Sequence, residues 1–257
     1  MASPVVQIEG LTKRYGDFEA VSDLTLHVGR GELFALLGPN GAGKTTTIRM
    51  LIGVLKPSAG QARVDGFDCF ADRVEVMRRV GYLPDEPIFH DYLRGREIVR
   101  FVGEMHGLSR VEIDARSEPL FERLELADAT EEYAVNYSRG MKKKLALVCA
   151  LLHDPLLLIL DEPTNGLDPY ATRTLHEMMK ELTAAGKTVF FSTHLLDQAE
   201  RLCQRIGILY HSRLAAFGTL DELRAGEGSA RTLEEIFFAA TGEKPILHTE
   251  SAEGAPS

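Results

Sequence analysis

The sequence predicts an α/β fold, with a parallel sheet buried on both faces, an antiparallel β region before it and a helical insertion within it. Three observations predict this. Glu32-Leu33-Phe34-Ala35-Leu36-Leu37 is an apolar run that leads into a glycine-rich loop and then an amphipathic stretch. Leu156-Leu157-Leu158-Ile159-Leu160 is short and uniformly apolar, the pattern of a strand covered on both sides. Lys187-Thr188-Val189-Phe190-Phe191-Ser192-Thr193 is a third such segment, and a helical stretch precedes it.

In chain order, a hairpin is expected around Ala62 to Phe67, inside the N-terminal antiparallel region. The strand at 32–37 feeds a helix from Lys44 to Leu55, with Ile48, Leu51, Ile52 and Leu55 on one stripe. The helical insertion covers about residues 86–154, with Phe101, Met105, Leu120, Phe121 and Leu124 as apolar positions, most of them core. Its last helix opens at Ser138, a natural cap, and continues to about Leu152. After the strand at 156–160, Asp168 caps and Pro169 begins a helix that reaches about Ala185, where Gly186 can terminate it. The expected domain is residues 5–240, and the small polar tail at 242–257 is expected to be flexible.

Composition narrows the class. A chain of 257 residues with 44% hydrophobic content suits one large α/β domain or two small ones. The longest apolar stretch, Leu145 to Leu160, is broken by His153-Asp154-Pro155, so no membrane span is expected. Met1-Ala2-Ser3-Pro4 lacks the basic and apolar regions of a secretion signal. The net charge of −9 argues against a broad nucleic-acid surface, and no nucleic-acid partner is expected. Cys69, Cys149 and Cys203 are scattered, as buried free thiols in a reducing cytoplasm would be.

Gly38-Pro39-Asn40-Gly41-Ala42-Gly43-Lys44-Thr45, followed by Thr46, fits Gly-x-x-x-x-Gly-Lys-[Ser/Thr] at every fixed position. Glycines stand where a Cβ would block the backbone, so that successive N–H groups turn inward as an anion nest. The helix that follows points its positive end at the same phosphates. Lys44 adds a mobile charge for the β- and γ-phosphates, and Thr45 a hydroxyl for Mg²⁺. Strand, loop and helix in that order make this the phosphate loop of a P-loop NTPase core. The apolar strand at 156–160 ends in Asp161-Glu162, two carboxylates at the sheet edge where open α/β sheets bind ligands. Asp161 suits Mg²⁺, and Glu162 suits the water that attacks the γ-phosphate. His194, just past the third strand, suits a γ-phosphate contact.

Ser138-Arg139-Gly140-Met141-Lys142-Lys143-Lys144 crowds cations into the first turns of a helix, where the dipole is already positive. An anion held at that helix end would reverse the penalty.

Together these segments resemble the nucleotide-binding subunits of ABC transporters over about residues 5–240. Ser138-Arg139-Gly140-Met141 resembles the family signature, usually Ser-Gly-Gly-Gln. The resemblance implies a RecA-like P-loop core and ATP as the nucleotide. It implies that Tyr15 stacks on adenine, that Ser138 and Gly140 meet a second subunit's ATP, that Asp168 lies in the loop crossing between subunits and that His194 is the switch histidine. Arg139 and Met141 depart from the pattern, as does Asp85, which stands where a glutamine usually senses Mg²⁺ and the attacking water. These departures resemble the branch that exports drugs, lipids, polysaccharides or ions. The resemblance also implies a homodimer or a pair with a paralogous ATPase, and a separate transmembrane permease contacted near Phe89, Tyr92 and Leu93. The chain would then lie on the inner face of the cell membrane. The basic residues 139–144 are expected to face the partner's ATP. A soluble ATPase of the same kind, acting in cofactor assembly, is the alternative.

Overall fold

The computed structural model describes residues 3–225 and 232–242. The chain opens with β1 (Val6–Tyr15) and β2 (Phe18–Val28), a long antiparallel hairpin. Then come β3 (Leu33–Leu37), α1 (Lys44–Leu51), β4 (Ala59–Val64), β5 (Phe67–Asp68), α2 (Arg73–Met77) and β6 (Val80–Leu83). Three helices follow: α3 (Gly95–Met105), α4 (Arg110–Arg123) and α5 (Arg139–Leu151). The remainder alternates as β7 (Leu157–Asp161), α6 (Pro169–Ala184), β8 (Thr188–Thr193) and α7 (Leu196–Leu202), then β9 (Arg205–Tyr210), β10 (Arg213–Thr219), α8 (Leu220–Arg224) and α9 (Leu233–Thr241).

Two sheets result. An antiparallel one runs in the order β2-β1-β4-β5, and the main one in the order β10-β9-β3-β8-β7-β6. In the main sheet β6, β7, β8, β3 and β9 are parallel, and β10 is turned against β9. The uniformly apolar strands are explained by their two faces. Leu33, Ala35 and Leu37 of β3, Leu158 and Leu160 of β7, and Val189 and Phe191 of β8 join a core shared with α3–α6. Phe34 and Leu36, Leu157 and Ile159, and Phe190 join a second core shared with α1 and the antiparallel sheet.

The expected hairpin is β4–β5, whose turn residues Asp65 and Gly66 both take positive φ (53° and 84°), as a two-residue hairpin turn requires. The expected helix 44–55 stops at Leu51. Gly53 takes φ 72°, and the N–H groups of Val54 and Leu55 both return to the Arg49 carbonyl, closing the turn early. In the helical region Phe121 and Leu124 are buried and Leu120 packs against the core. Most of the five are therefore core, as expected; Phe101 and Met105 are the exceptions, on the solvent side of α3, 57% and 73% exposed, because that helix buries Ile98, Val99 and Gly103 instead. Cys69 and Cys203 are buried, Cys149 is partly so, and all three are free thiols. Burial pushes the Cys69 and Cys149 thiols up to about 12. The tail expected to be flexible falls, beyond Gly242, outside the described residues.

Candidate functional site

The main sheet brings four segments to one edge. Loop 38–43 leaves β3, Asp85 follows β6, Glu162 follows β7 and His194 follows β8. The parallel register sets Leu37 beside Thr193 and Asp161 beside Ser192, so the strand ends finish level. A cleft of about 430 Å³ opens there, within the range of small-molecule sites. It is lined by Asn40, Gly41, Gly43, Lys44, Thr45, Thr46, Asp85, Glu162 and His194 from the expected set, joined by Phe18 and Asn165.

The loop is tied down at its start, where the Gly38 N–H donates to the Thr193 carbonyl at 3.2 Å. Gly43 takes φ 107°, and a Cβ there would drive into the Ala20 carbonyl and the Val21 side chain, so only glycine fits. Among the described residues no side chain caps the start of α1, and Lys44, Thr45 and Thr46 of its first turn line the cleft. Gly38 and Ala42 are buried and support the loop from beneath.

Lys44 is buried, and its Nζ donates to the carbonyls of Gly38 (2.6 Å) and Pro39 (3.2 Å). The same ammonium lies 3.0 Å from Glu162 Oε1. That oxygen is buried and makes no aligned hydrogen bond, while Oε2 lies 2.9 Å from His194 Nδ1. Glu162 itself sits at φ 43°, a strained value for a residue with a side chain. Its N–H donates to Ser192 Oγ at 3.0 Å. The Ser192 hydroxyl in turn donates to Asp161 Oδ1 at 2.6 Å.

Asp161 is 1% exposed. Burial raises its carboxyl pKa, and the charges of Asp85 and Glu162 push the same way, against hydrogen bonds from Ser192 and Thr45. A dication bound beside it would favour the ionised form. The described residues contain no cage of three or more carboxylate, imidazole or thiolate groups. The donors at hand, Thr45, Asp161 and Asp85, are hard oxygens. That set fits Mg²⁺, which takes one or two carboxylates together with substrate phosphates.

Asp85 is gripped by cations. Its Oδ1 accepts from Asn165 Nδ2 at 3.2 Å and lies 3.4 Å from Lys143 Nζ and 4.0 Å from the Arg139 guanidinium. Lys143 corrects the expectation for the basic run. It points into the protein, 1% exposed, and burial lowers its ammonium pKa while Asp85 opposes that shift. Lys144 faces Glu125 at 3.6 Å, and Arg139 faces Glu86 at 3.5 Å. Carboxylates of this chain therefore answer much of the helix-end charge that had been expected to face a partner's ATP.

Ser138 is exposed, and its Oγ caps α5 by accepting from the Met141 N–H at 3.2 Å. Asp168 caps α6 by accepting from the Ala171 N–H at 2.9 Å. Ser138, Gly140 and Asp168 all lie outside the cleft lining. Gly166 takes φ 77°, and a Cβ there would stand 3.0 Å from Arg139 Cδ, so the Arg139 stem lies along this turn. Tyr15 stands exposed at the hairpin end, its ring 5.1 Å from the Lys13 ammonium, and it is Phe18, its cross-strand partner, that lines the cleft. Of the expected permease contacts only Tyr92 projects (83% exposed), beside Ile88 (92%), whereas Phe89 and Leu93 pack against the core.

The sequence reading missed Phe18, Asn165, Ser192 and the inward Lys143. Ser192 had a signal, a hydroxyl in an apolar strand one position before its end. Lys143 had none, because a lysine among lysines reads as solvated.

Comparison with known proteins agrees with this geometry. A family model described as ABC transporter matches residues 21–165. The daunorubicin resistance ATP-binding protein DrrA3 of Streptomyces coeruleorubidus is 38% identical over 231 residues, spanning 90% of this chain and 73% of its own. The Nod factor export ATP-binding protein I of Paraburkholderia xenovorans (strain LB400) is 39% identical over 235 residues, spanning 91% and 77%. A solved structure of the ATP-binding subunit of an ABC transporter matches with a TM-score of 0.87 at 36% identity, covering 92% of this chain and 99% of that one. The chain belongs to the ABC transporter family, among its ATP-binding subunits.

Proposed function

We propose that this subunit binds Mg²⁺–ATP in the cleft over loop 38–43, hydrolyses it and drives export through a separate permease. The observation that carries this is the meeting of Lys44, Thr45, Asp161, Glu162 and His194 at one sheet edge while Ser138 stands outside on an exposed helix end. The loop N–H groups, that of Ala42 among them, and the first turn of α1 would cradle the phosphates, with Asn40, Gly41 and Thr46 completing the wall. Thr45 and Asp161, with Asp85 beside them, would hold Mg²⁺, which supplies charge neutralisation for the phosphates.

Lys44 is shared between two carbonyls and Glu162 Oε1. A γ-phosphate competes for this ammonium, and Oε1 is then left to accept a proton from the attacking water. The new O–P bond forms as the bond to the β-phosphate oxygen breaks, and ADP and phosphate leave. His194 Nδ1 orients the other carboxylate oxygen, which would leave Nε2 of this cleft-lining ring for the γ-phosphate.

The nucleotide-binding domain is taken as residues 5–240, with its helical part at about 86–154. Ser138 and Gly140 of one subunit would close over the ATP held by another, with the Asp168 loop between them, in a head-to-tail pair with two-fold symmetry. Tyr15 or Phe18 would stack on adenine. Among the described residues no helix is long and apolar enough to cross a membrane, so membrane work falls to a permease, and the subunit would sit on its cytoplasmic side. The names of the two relatives, one of resistance and one of export, support outward transport.

Phosphate release from ATP, with no acceptor added, tests this reading. The intact chain should turn over, and Glu162→Gln should bind ATP yet release phosphate at about a hundredth of the rate or less. Equal rates in the two proteins would remove Glu162 from its role.

A further inference from the structure

Lys143 is not one of the cleft-lining groups, yet it touches two of the segments that build the cleft. An ammonium has three donors, and here each has an acceptor: the Glu162 carbonyl at 2.6 Å, the Asn165 carbonyl at 3.0 Å and Asp85 Oδ1 at 3.4 Å. A charge this deeply buried persists only when it is paired and hydrogen-bonded, so the three partners and the lysine form one unit. Two of the partners belong to the loop after β7, and one follows β6. The lysine rides on α5, whose exposed end is Ser138.

The contact with Glu162 matters most. That residue holds φ 43°, and rotation of its strained peptide would swing the carboxylate away from Lys44 and His194. Lys143 holds the Glu162 carbonyl and Ser192 Oγ accepts from the Glu162 N–H, so the peptide units on both sides of the Glu162 Cα are fixed. Lys143 also answers the negative charge that Asp85 adds beside the phosphate site.

We propose that Lys143 is a positioning residue that locks Asp85 and the Glu162 peptide to each other and to α5, so that the hydrolytic carboxylate and the Ser138 end of the helix move as one body. This rests on the ATPase reading above.

The test uses the purified full chain with Lys143→Met, Asp85→Asn and the double variant. Phosphate release is scored per ATP-binding site, the sites being counted by equilibrium ATP binding. Lys143→Met should lower kcat per site about tenfold or more, since small misplacement of a reacting group is costly. KM for ATP should stay near that of the unsubstituted chain, because Lys143 does not line the cleft. At saturating Mg²⁺, where any weakening of the metal site by Asp85→Asn is made up by mass action, adding Asp85→Asn to Lys143→Met should cost little more, since the unit is already broken. A purely structural lysine would reduce the number of binding sites and leave kcat per site unchanged. That result, or losses that multiply in the double variant, would overturn the proposal. Should the methionine variant fail to fold, Lys143→Gln carries the same test with a neutral donor. The unsubstituted chain beside them separates the two claims. Its own failure to release phosphate overturns the ATPase reading. Unaltered kcat per site in the Lys143 variants, beside an active unsubstituted chain, overturns the positioning role.

Discussion

At the residue scale, charge placement decides the behaviour of the site. Among the described residues Lys44 is the only lysine in the cleft lining, and it already bridges the loop to Glu162. Lys44→Ala should therefore abolish tight ATP binding, read by fluorescent-nucleotide titration; unchanged affinity would refute its role. Asp85 lines the cleft, and its Oδ1 is matched by Lys143 and Asn165. Asp85→Asn should shift the Mg²⁺ dependence of turnover more than it shifts ATP affinity, and superimposable Mg²⁺ titrations would contradict that. A third prediction concerns His153, away from the cleft. It stacks on His106 at 3.8 Å between ring centroids, its Nε2 lies 3.1 Å from the Val80 carbonyl, and its Nδ1 is buried without a partner. Burial first, and the His106 charge second, pull its pKa from the ordinary 6.5 down to about 4. The unfolded chain thus takes up this proton before the folded one does. Its contribution falls as pH drops from 6.5 to about 4 and levels off below. His153→Gln should show a smaller Tm loss across that window than the unsubstituted chain.

At the scale of elements, helix ends do different work from one another. The start of α1 has no side-chain cap, whereas α5 and α6 are capped by Ser138 and Asp168. Removing the α5 cap with Ser138→Ala should cost about 1 kcal/mol in denaturant unfolding, the usual worth of such a cap. Strands and their faces were legible in the sequence because uniform apolarity over five residues has few other readings. The motif residues Gly38 to Thr45, Asp161, Glu162 and His194 were legible for a related reason: each lies at a strand end, and the parallel sheet aligns those ends. Helix faces were less legible. Phe101 and Met105 are apolar yet exposed, since amphipathic spacing gives a stripe without saying which of two neighbouring stripes meets the core. The β9–β10 hairpin left no glycine signal, for its turn is made by His211 and Ser212 at φ 44° and 66°. Lys143 was hidden because two of its partners are backbone carbonyls about twenty residues along the chain and the third, Asp85, is farther still, which no local pattern records.

For the whole molecule, the exposed Ser138 end lies outside the cleft lining, and in the proposed function a second subunit joins the two surfaces. The helical side also presents Ile88 and Tyr92 to solvent. Charged replacements, Ile88→Asp with Tyr92→Asp, should abolish co-purification with a membrane permease while ATP hydrolysis by the isolated chain persists. Retained co-purification would move the permease contact elsewhere. The central claim is that ATP is enclosed between the Lys44 side of one subunit and the Ser138 side of another. Light scattering on Glu162→Gln with and without Mg²⁺–ATP measures this most directly. Glu162→Gln should be a monomer that doubles its mass when ATP is added, with no doubling once Ser138→Arg is introduced into the same protein. A monomer at saturating ATP, or a dimer indifferent to the Ser138 substitution, would contradict it.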